Sequence, residues 1–406
     1  MSLISSKKDW TILVYQGGVN DLSPSLRKNL NELAQGPHPD NVDVLVRQLD
    51  RSGSLTDFQI DGRGMTPLGP ALPAPDSSDP QTLADFLRRG IQQYPARHYM
   101  LVVSSHGQGA GGVIQDERTG NFMQPQQFQQ ALEAGREANQ GKPLDLVFFD
   151  ACRMMAVEMA SQIKGSVQVA VGSLDRIDST GYDPGLWVQG AAASSDGLAL
   201  GRLLTENRDP RQMEGLGTMA AVNLEFVEPL ERALKQLAEH LAKLDPDQAS
   251  RVREIATFSR RSLPSPSYQY ALDNMASSIL QGSGEPISGW LEEVRPTDPV
   301  AISSLCRNLL ADPDLDQGLH TAAQAVIEAH AKAVFAQREE CDGLSVVLPL
   351  ERSSQVTSEL AFESATQWQR AVDRLVPMHS PARLGKSWLE EELEARKSPA
   401  EPPKEA

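Results

Sequence analysis

The chain has 406 residues, of which 40% are hydrophobic and 23% are charged, and its formal net charge is -16 at pH 7. This length is enough to bury a large core and predicts two to three domains or one elaborated domain. The acidic balance argues against nucleic acid as a partner, because phosphate binding needs a basic face, and it favours cationic partners such as basic peptides.

No segment has the pattern of an export or membrane signal. Residues 1–9 lack the apolar core of a signal peptide, and no run approaches the ~18 apolar residues that a membrane span needs. The three cysteines, an odd number in a long chain, do not suggest a disulfide framework. We therefore expect a cytoplasmic protein with reduced thiols and no membrane partner.

The first half of the sequence alternates between short apolar runs and amphipathic segments. This alternation predicts an α/β fold with a mainly parallel sheet covered by helices on both faces. Ser23 and Asp79 are the expected N-caps of two of the helices. The predicted strands are 10–15, 42–49, 99–103, 113–115, 144–149 and 167–172, and the predicted helices are 24–34, 80–94, 125–138 and one from just past Cys152 to 164.

From about Leu198 onward, long amphipathic segments predominate. They predict helices at 223–244, 246–262, 269–280 and 319–337. One clear strand remains at 343–348, and we expect it to return to the main sheet. The resulting organisation is an α/β core over residues 1–197, a mostly helical region over 198–385, and a charged, Pro-rich tail over 386–406.

Two short motifs at the ends of predicted strands contain reactive side chains. They are SSHG at 104–107 and FDAC at 149–152. Open α/β sheets place their reactive groups at the carboxyl ends of strands, so a histidine and a cysteine are expected side by side. His106 can accept and donate the proton in acyl transfer, and Cys152, opening a helix, is expected to gain thiolate character. The N–H groups of Gly107 and Cys152 are candidates for an oxyanion hole.

Other interpretations of these residues stay open on spacing alone. Cys152 can be a buried core thiol and His106 a turn residue. The glycine-rich stretch 107–112 matches a dinucleotide-binding pattern, but a strand is predicted at 113–115, where that pattern needs a helix. The remaining cysteines and histidines lack metal-ligand spacing, so no metal site is expected.

Taken in order, the motifs resemble the clostripain family of cysteine peptidases, in the caspase-like clan. The resemblance covers most of residues 9–350 and is strongest over 98–183. The matching segments are the strand 10–15 with Asn20-Asp21-Leu22, His106-Gly107, Asp150-Ala151-Cys152 with Met154 and Val157-Glu158, Val171-Gly172-Ser173 with Gly181-Tyr182, and Gly343-Leu344-Ser345.

The resemblance implies a caspase-like fold and a Cys/His dyad that hydrolyses peptide bonds without a necessary third member. Cys152 would attack the scissile carbonyl, and His106 would protonate the leaving amine. The acid two residues before the cysteine lines the S1 pocket in this family, which implies that Asp150 selects Arg or Lys in the substrate. A carboxylate suits bidentate recognition of Arg. The alternative role of Asp150 is to cap the following helix.

Two further residues are candidate substrate contacts. Asp178 lies in the loop that precedes Gly181-Tyr182, close to where the family often has an acid. Ser173 ends a predicted strand, and we expect an extended peptide to add along the sheet edge beside it.

The resemblance also bears on activation by self-cleavage and on calcium binding. Many relatives are activated by cleavage between the His and Cys segments, and Arg118, in the turn-like sequence 116–120, is the candidate site of self-cleavage. Some relatives bind calcium, but the sequence contains no recognisable calcium-binding loop, so we predict no cofactor.

The alternative function is a catalytically silent caspase-like scaffold that binds peptides or partner proteins. Retention of both His106 and Cys152 favours the enzyme. The sequence does not determine the oligomeric state.

Overall fold

A ten-stranded sheet lies at the centre of the computed structural model, which describes residues 7–207, 209, 218–261, 299–338, 341–348 and 359–376. The strands are β1 Lys8–Gly18, β2 Val42–Asp50, β3 Ser54–Asp61, β4 Gly64–Pro67, β5 Leu72–Pro73, β6 Ala96–Ser104, β7 Val113–Asp116, β8 Asn121–Met123, β9 Leu144–Asp150, β10 Val167–Ser173, β11 Met219–Asn223, β12 Pro299–Ala301, β13 Val334–Gln337 and β14 Ser345–Val347. The helices are α1 Ser23–Gln35, α2 Pro80–Gln93, α3 Pro125–Ala138, α4 Val157–Ile163, α5 Pro184–Ala193, α6 Gly197–Glu206, α7 Val227–Leu241, α8 Pro246–Arg261, α9 Ile302–Ala311, α10 Gln317–Ala333, α11 Ala361–Thr366 and α12 Gln369–Leu375.

The strand order is β13-β11-β10-β9-β6-β1-β2-β3-β4, and β5 pairs with β3. The inner strands from β10 to β2 run parallel, and the strands on either side of them are antiparallel. Their apolar runs suit this position, because an inner parallel strand is buried on both faces. The predicted mainly parallel sheet is therefore confirmed.

Helices cover both faces of the sheet. Side chains alternate along each strand, so Phe149 of β9 belongs to the core that includes residues of α2, α3, α4 and α7, whereas Phe148 belongs to the core that includes residues of α1, α5 and α6. Each buried side chain of this size contributes about 1.5–3 kcal/mol to folding. None of the helices in the described ranges combines the length and apolar composition of a bilayer span.

Helix boundaries follow local sequence signals in most places. The Asp79 carboxylate caps α2 by accepting the Gln81 N–H, as predicted. The predicted helix 125–138 matches α3, which starts on Pro125. Ser23 does not cap α1, because the cap position falls one residue earlier, on Leu22.

The prediction that strand 343–348 returns to the main sheet is wrong. β14 pairs instead with β12 in a separate two-stranded sheet, and a single bridge joins Ser345 to Ala156. The strand that does return is β13, which occupies the end of the predicted helix 319–337 and pairs with β11. Val334 and Phe335 favour a strand, and pairing with β11 satisfies their backbone groups.

Some predictions remain without a test. The predicted helix 269–280 and the tail 386–406 lie outside the described residues. The boundary drawn at residue 197 stays a prediction.

Candidate active site

The carboxyl ends of β6 and β9 lie side by side. In the register of this parallel pair Ser104 lies opposite Asp150, and the Ser105 N–H donates to the Asp150 carbonyl at 3.4 Å. His106 and Cys152 each follow two residues later. The structure therefore brings the two predicted segments together at one edge of the sheet.

Gly107 allows the backbones of these two segments to touch. A Cβ atom on Gly107 would lie 2.5 Å from the Cys152 carbonyl oxygen and 2.7 Å from the Met154 sulfur. Any larger residue would push the segments apart, so only glycine fits this close approach.

The Cys152 side chain is half-buried beneath the loop that follows β10. The Ile177 N–H donates to Sγ at 3.5 Å, and Sγ lies 4.0 Å from the Ile177 carbonyl oxygen. Burial raises the pKa of the Cys152 thiol, while the Ile177 N–H and the guanidinium groups of Arg153 and Arg176 act in the opposite direction.

The prediction that Cys152 opens a helix is wrong, since α4 begins only at Val157. Between them the chain turns through Arg153, whose φ of 61° is left-handed, and the Met155 N–H then bonds the Ser173 carbonyl. Packing against β10 thus delays the helix, and the thiol lacks the helix N-terminus that the sequence suggested.

His106 contacts Asp21, which the sequence matched to the family's opening loop but to which it assigned no role. Its ring Nε2 lies 2.6 Å from Oδ1 of Asp21, in the loop after β1. The position of β1 beside β6 would have pointed to this loop, because both strands end at the same sheet edge. Within the described part of the chain, no hydrogen bond joins the His106 ring to the Cys152 thiol.

Asp150 is buried, with 4% of its surface exposed. Its carboxylate accepts the Ser104 hydroxyl at 2.8 Å and the Tyr182 N–H at 2.9 Å. It does not cap the following helix, whose cap position is Ala156. Instead, the carboxylate hydrogen-bonds the Gly181-Tyr182 turn and holds it at the end of the sheet.

The prediction that a peptide adds along the sheet edge near Ser173 is wrong. Ser173 is fully buried, and its hydroxyl lies 3.1 Å from that of Thr218. β10 is paired with β9 on one side and with β11 on the other, where Ser173 lies opposite Met219. The antiparallel strand β11, from the C-terminal half, occupies the place that a peptide would need.

Asp178 lies half-buried in the loop over Cys152. Its Oδ1 accepts the Thr180 N–H at 2.8 Å, and its carbonyl accepts the Gly181 N–H at 3.0 Å. These bonds form a tight turn over residues 178–181, directly after Ile177, so Asp178 belongs to the segment that covers the thiol.

Arg118 is exposed in the turn between β7 and β8. Its guanidinium pairs with Asp116 at 2.9 Å and donates to the Pro75 carbonyl at 2.7 Å. The candidate cleavage bond therefore lies at the tip of an accessible hairpin, with the arginine side chain folded back onto the protein.

In the ranges that the structure covers, no group of three or more His, Cys, Asp or Glu side chains is arranged to hold a metal ion. We assign no step to calcium.

Comparisons with known proteins agree with this architecture. The sequence model of the clostripain family matches residues 14–375. A secreted C11 cysteine protease from Bacteroides thetaiotaomicron, solved with an irreversible peptide inhibitor, has a TM-score of 0.62 and 16% identity, over 90% of this chain and 99% of that chain. An inactive zymogen C11 protease from Parabacteroides distasonis gives the same score, identity and coverage. No curated protein matches significantly.

At this identity the solved structures support the fold alone, whereas the family match spans most of the chain. The chain therefore belongs to the clostripain family and is a cysteine protease.

Proposed function

We propose that the protein is an endopeptidase in which Cys152 is the nucleophile and His106 is the acid and base, and that it cleaves after Arg or Lys. One observation carries this proposal: the register of β6 and β9 sets the His106-Gly107 segment against the Cys152 segment. A soft nucleophile and an imidazole on rigid neighbouring strand ends are what acyl transfer requires.

In the proposed reaction His106 takes the proton of the Cys152 thiol as sulfur attacks the scissile carbonyl carbon. The C–N bond then breaks, His106 gives the proton to the leaving amine, and a thioester remains on Cys152. Water, deprotonated by His106, hydrolyses this thioester and restores the thiol. The N–H groups of Gly107 and Cys152 stabilise the oxyanion, and such a donor is worth about 10²–10³ in rate.

Substrate must first displace the segment over the thiol. Ile177 contacts Sγ through its backbone, so the sulfur cannot reach a carbonyl carbon until this contact opens. We propose that a bound peptide replaces Ile177 at this position.

Asp150 is proposed as the acid that selects the basic side chain. It lies at the same strand end as Cys152, and the turn that covers it is continuous with the segment over the thiol. Asp178, in that segment, adds a second negative charge. A guanidinium would meet carboxylates on two sides, which suits Arg better than Lys.

Hydrolysis of fluorogenic peptides ending in Arg, Lys or Leu tests this function. We expect the wild type to turn over the basic peptides, and Cys152→Ala to lose about 10⁴-fold or more in kcat. Cys306→Ala is the matched control, because that thiol is fully buried in α9, and it should keep the wild-type rate. Equal rates for the wild type and Cys152→Ala would exclude the nucleophile, and no turnover by either would support the silent scaffold.

Selectivity is tested separately with Asp150→Asn, which keeps an acceptor for the Tyr182 N–H. We expect kcat/KM for the Arg peptide to fall about 30-fold or more, since a desolvated charge partner is lost. The rate for the Leu peptide should change little. Equal loss on both peptides would show that Asp150 supports the loop and does not select the side chain.

A further inference from the structure

We propose that Asp21 is a positioning residue for His106, so that the proposed dyad works with a third member. The Asp21 carboxylate holds the imidazole through Nε2 and leaves Nδ1 to exchange the proton with the thiol and the leaving amine. This inference rests on the proposed role of His106.

The contact itself fixes the tautomer of the ring. Asp21 Oδ1 lies 2.6 Å from His106 Nε2, a short distance for an N–H···O bond. An ionised carboxylate only accepts hydrogen bonds, so Nε2 carries the proton and Nδ1 is the acceptor in the neutral ring. An imidazole held in one tautomer and one orientation needs no reorganisation before it takes a proton.

A buried asparagine fixes the loop that carries Asp21. Asn20 is fully buried, and the two N–H groups of its Nδ2 are shared among three acceptors: the Gly17 carbonyl at 2.9 Å, the Ser105 hydroxyl at 3.3 Å and the Gln115 carbonyl at 3.1 Å. Its Oδ1 accepts the Leu22 N–H at 3.0 Å. Asn20, which precedes Asp21, is thus hydrogen-bonded to Ser105, which precedes His106. One hydrogen-bond network therefore positions both loops.

The Asp21 carboxylate also supplies a negative charge beside the ring. Asp21 faces His106 from the loop after β1, and Cys152 lies at the neighbouring strand end. Behind Asp21, Glu117 accepts the Asp21 N–H at 3.3 Å and forms an ion pair with Arg51 at 3.3 Å. When His106 takes the thiol proton, the adjacent carboxylate stabilises the imidazolium. Side-chain exposures of 31% for His106 and 63% for Asp21 mean that water and salt screen part of this effect.

The kinetic test compares Asp21→Asn with the wild type on an Arg-ended peptide. We expect kcat to fall about tenfold with little change in KM, because the ring is no longer held. Asp21→Glu should recover part of kcat. Asp85→Asn is the matched control: Asp85 is exposed and paired with Arg88 at 2.7 Å on α2, and its loss should change neither quantity.

A readout independent of peptidase activity separates this inference from the proposed function. In ¹H–¹⁵N NMR spectra of the wild type, His106 should show the Nε2–H tautomer, and Asp21→Asn should mix the two tautomers. His106→Gln identifies the signal among the seven histidines. A wild-type kcat in an active Asp21→Asn variant would overturn the inference. So would an unchanged tautomer signal, even if the peptides are not hydrolysed.

Discussion

Cys152 lies in surroundings that disfavour its charged form. Burial is the largest influence on the pKa of this thiol and raises it, and the nearby N–H and guanidinium groups offset only part of that effect. The resting protein therefore holds a neutral thiol at physiological pH. In the proposed mechanism, the nucleophile gains reactivity when the Ile177 segment moves and His106 takes the proton.

The pH dependence of thiol alkylation follows from this state. We expect the rate of Cys152 modification by iodoacetamide to rise with pH, with a midpoint above the value of about 8.5 for an ordinary thiol. Arg153→Gln should slow the reaction at pH 8, because loss of a nearby positive charge raises the pKa of the Cys152 thiol further. Peptide mass spectrometry measures the modification, and Cys152→Ala identifies the site. A midpoint below that of a free thiol would contradict the prediction.

At the scale of elements, α4 is joined to β14 through a buried acid. Glu158 is fully buried, its Oε1 accepts the Val347 N–H at 2.7 Å, and its Oε2 has no hydrogen-bond partner in the described chain. Burial raises the pKa of Glu158 to about 7. The folded protein therefore favours the neutral carboxyl at this contact.

The raised pKa of Glu158 makes the stability of the folded protein depend on pH. Because the folded-state pKa of Glu158 lies above the ordinary value of 4.5, its contribution to stability is complete below pH 4.5 and is lost as the pH rises through about 7. Glu158→Gln removes this loss. We expect the variant to match the wild type at pH 5 and to exceed its free energy of unfolding at pH 8 by about 1–3 kcal/mol.

Urea denaturation at the two pH values measures this difference. Glu225→Gln, at an exposed position, serves as the control and should show no differential. An equal gain from Glu158→Gln at pH 5 and pH 8 would show that the carboxyl does not titrate with folding.

At the scale of the whole molecule, the proposed cut after Arg118 would divide the chain between its two reactive segments. His106 would lie in the first fragment and Cys152 in the second. The two fragments would still share the pairing of β6 with β9 and the core beneath α2 and α3. We therefore expect cleavage without dissociation.

Self-processing is tested on the active protein. We expect denaturing gels to show the 44.2 kDa chain as two fragments, and size-exclusion chromatography to show an unchanged particle. Arg118→Gln should remain intact, whereas Arg136→Gln, within α3 in the same interval, should still be cut. An intact chain in fully active enzyme would exclude cleavage at Arg118.

The local sequence determined much of this architecture. Apolar runs of strand length fixed the inner parallel strands, and local signals such as Asp79 and Pro125 fixed helix starts, because these depend on neighbours in the chain. The strand-end rule also placed the His106 segment beside the Cys152 segment, since adjacent parallel strands end together. The motif order then indicated the family, which the family match confirms.

Tertiary contacts decided the remainder. The delay of α4, the occupation of the β10 edge by β11 and the separate pairing of β14 depend on partners far away in sequence. The contact of Asp21 with His106 spans 85 residues, and the cover of Ile177 over Cys152 comes from a neighbouring loop. Local propensity fixes where a strand or helix forms, but only long-range packing fixes which side chains meet.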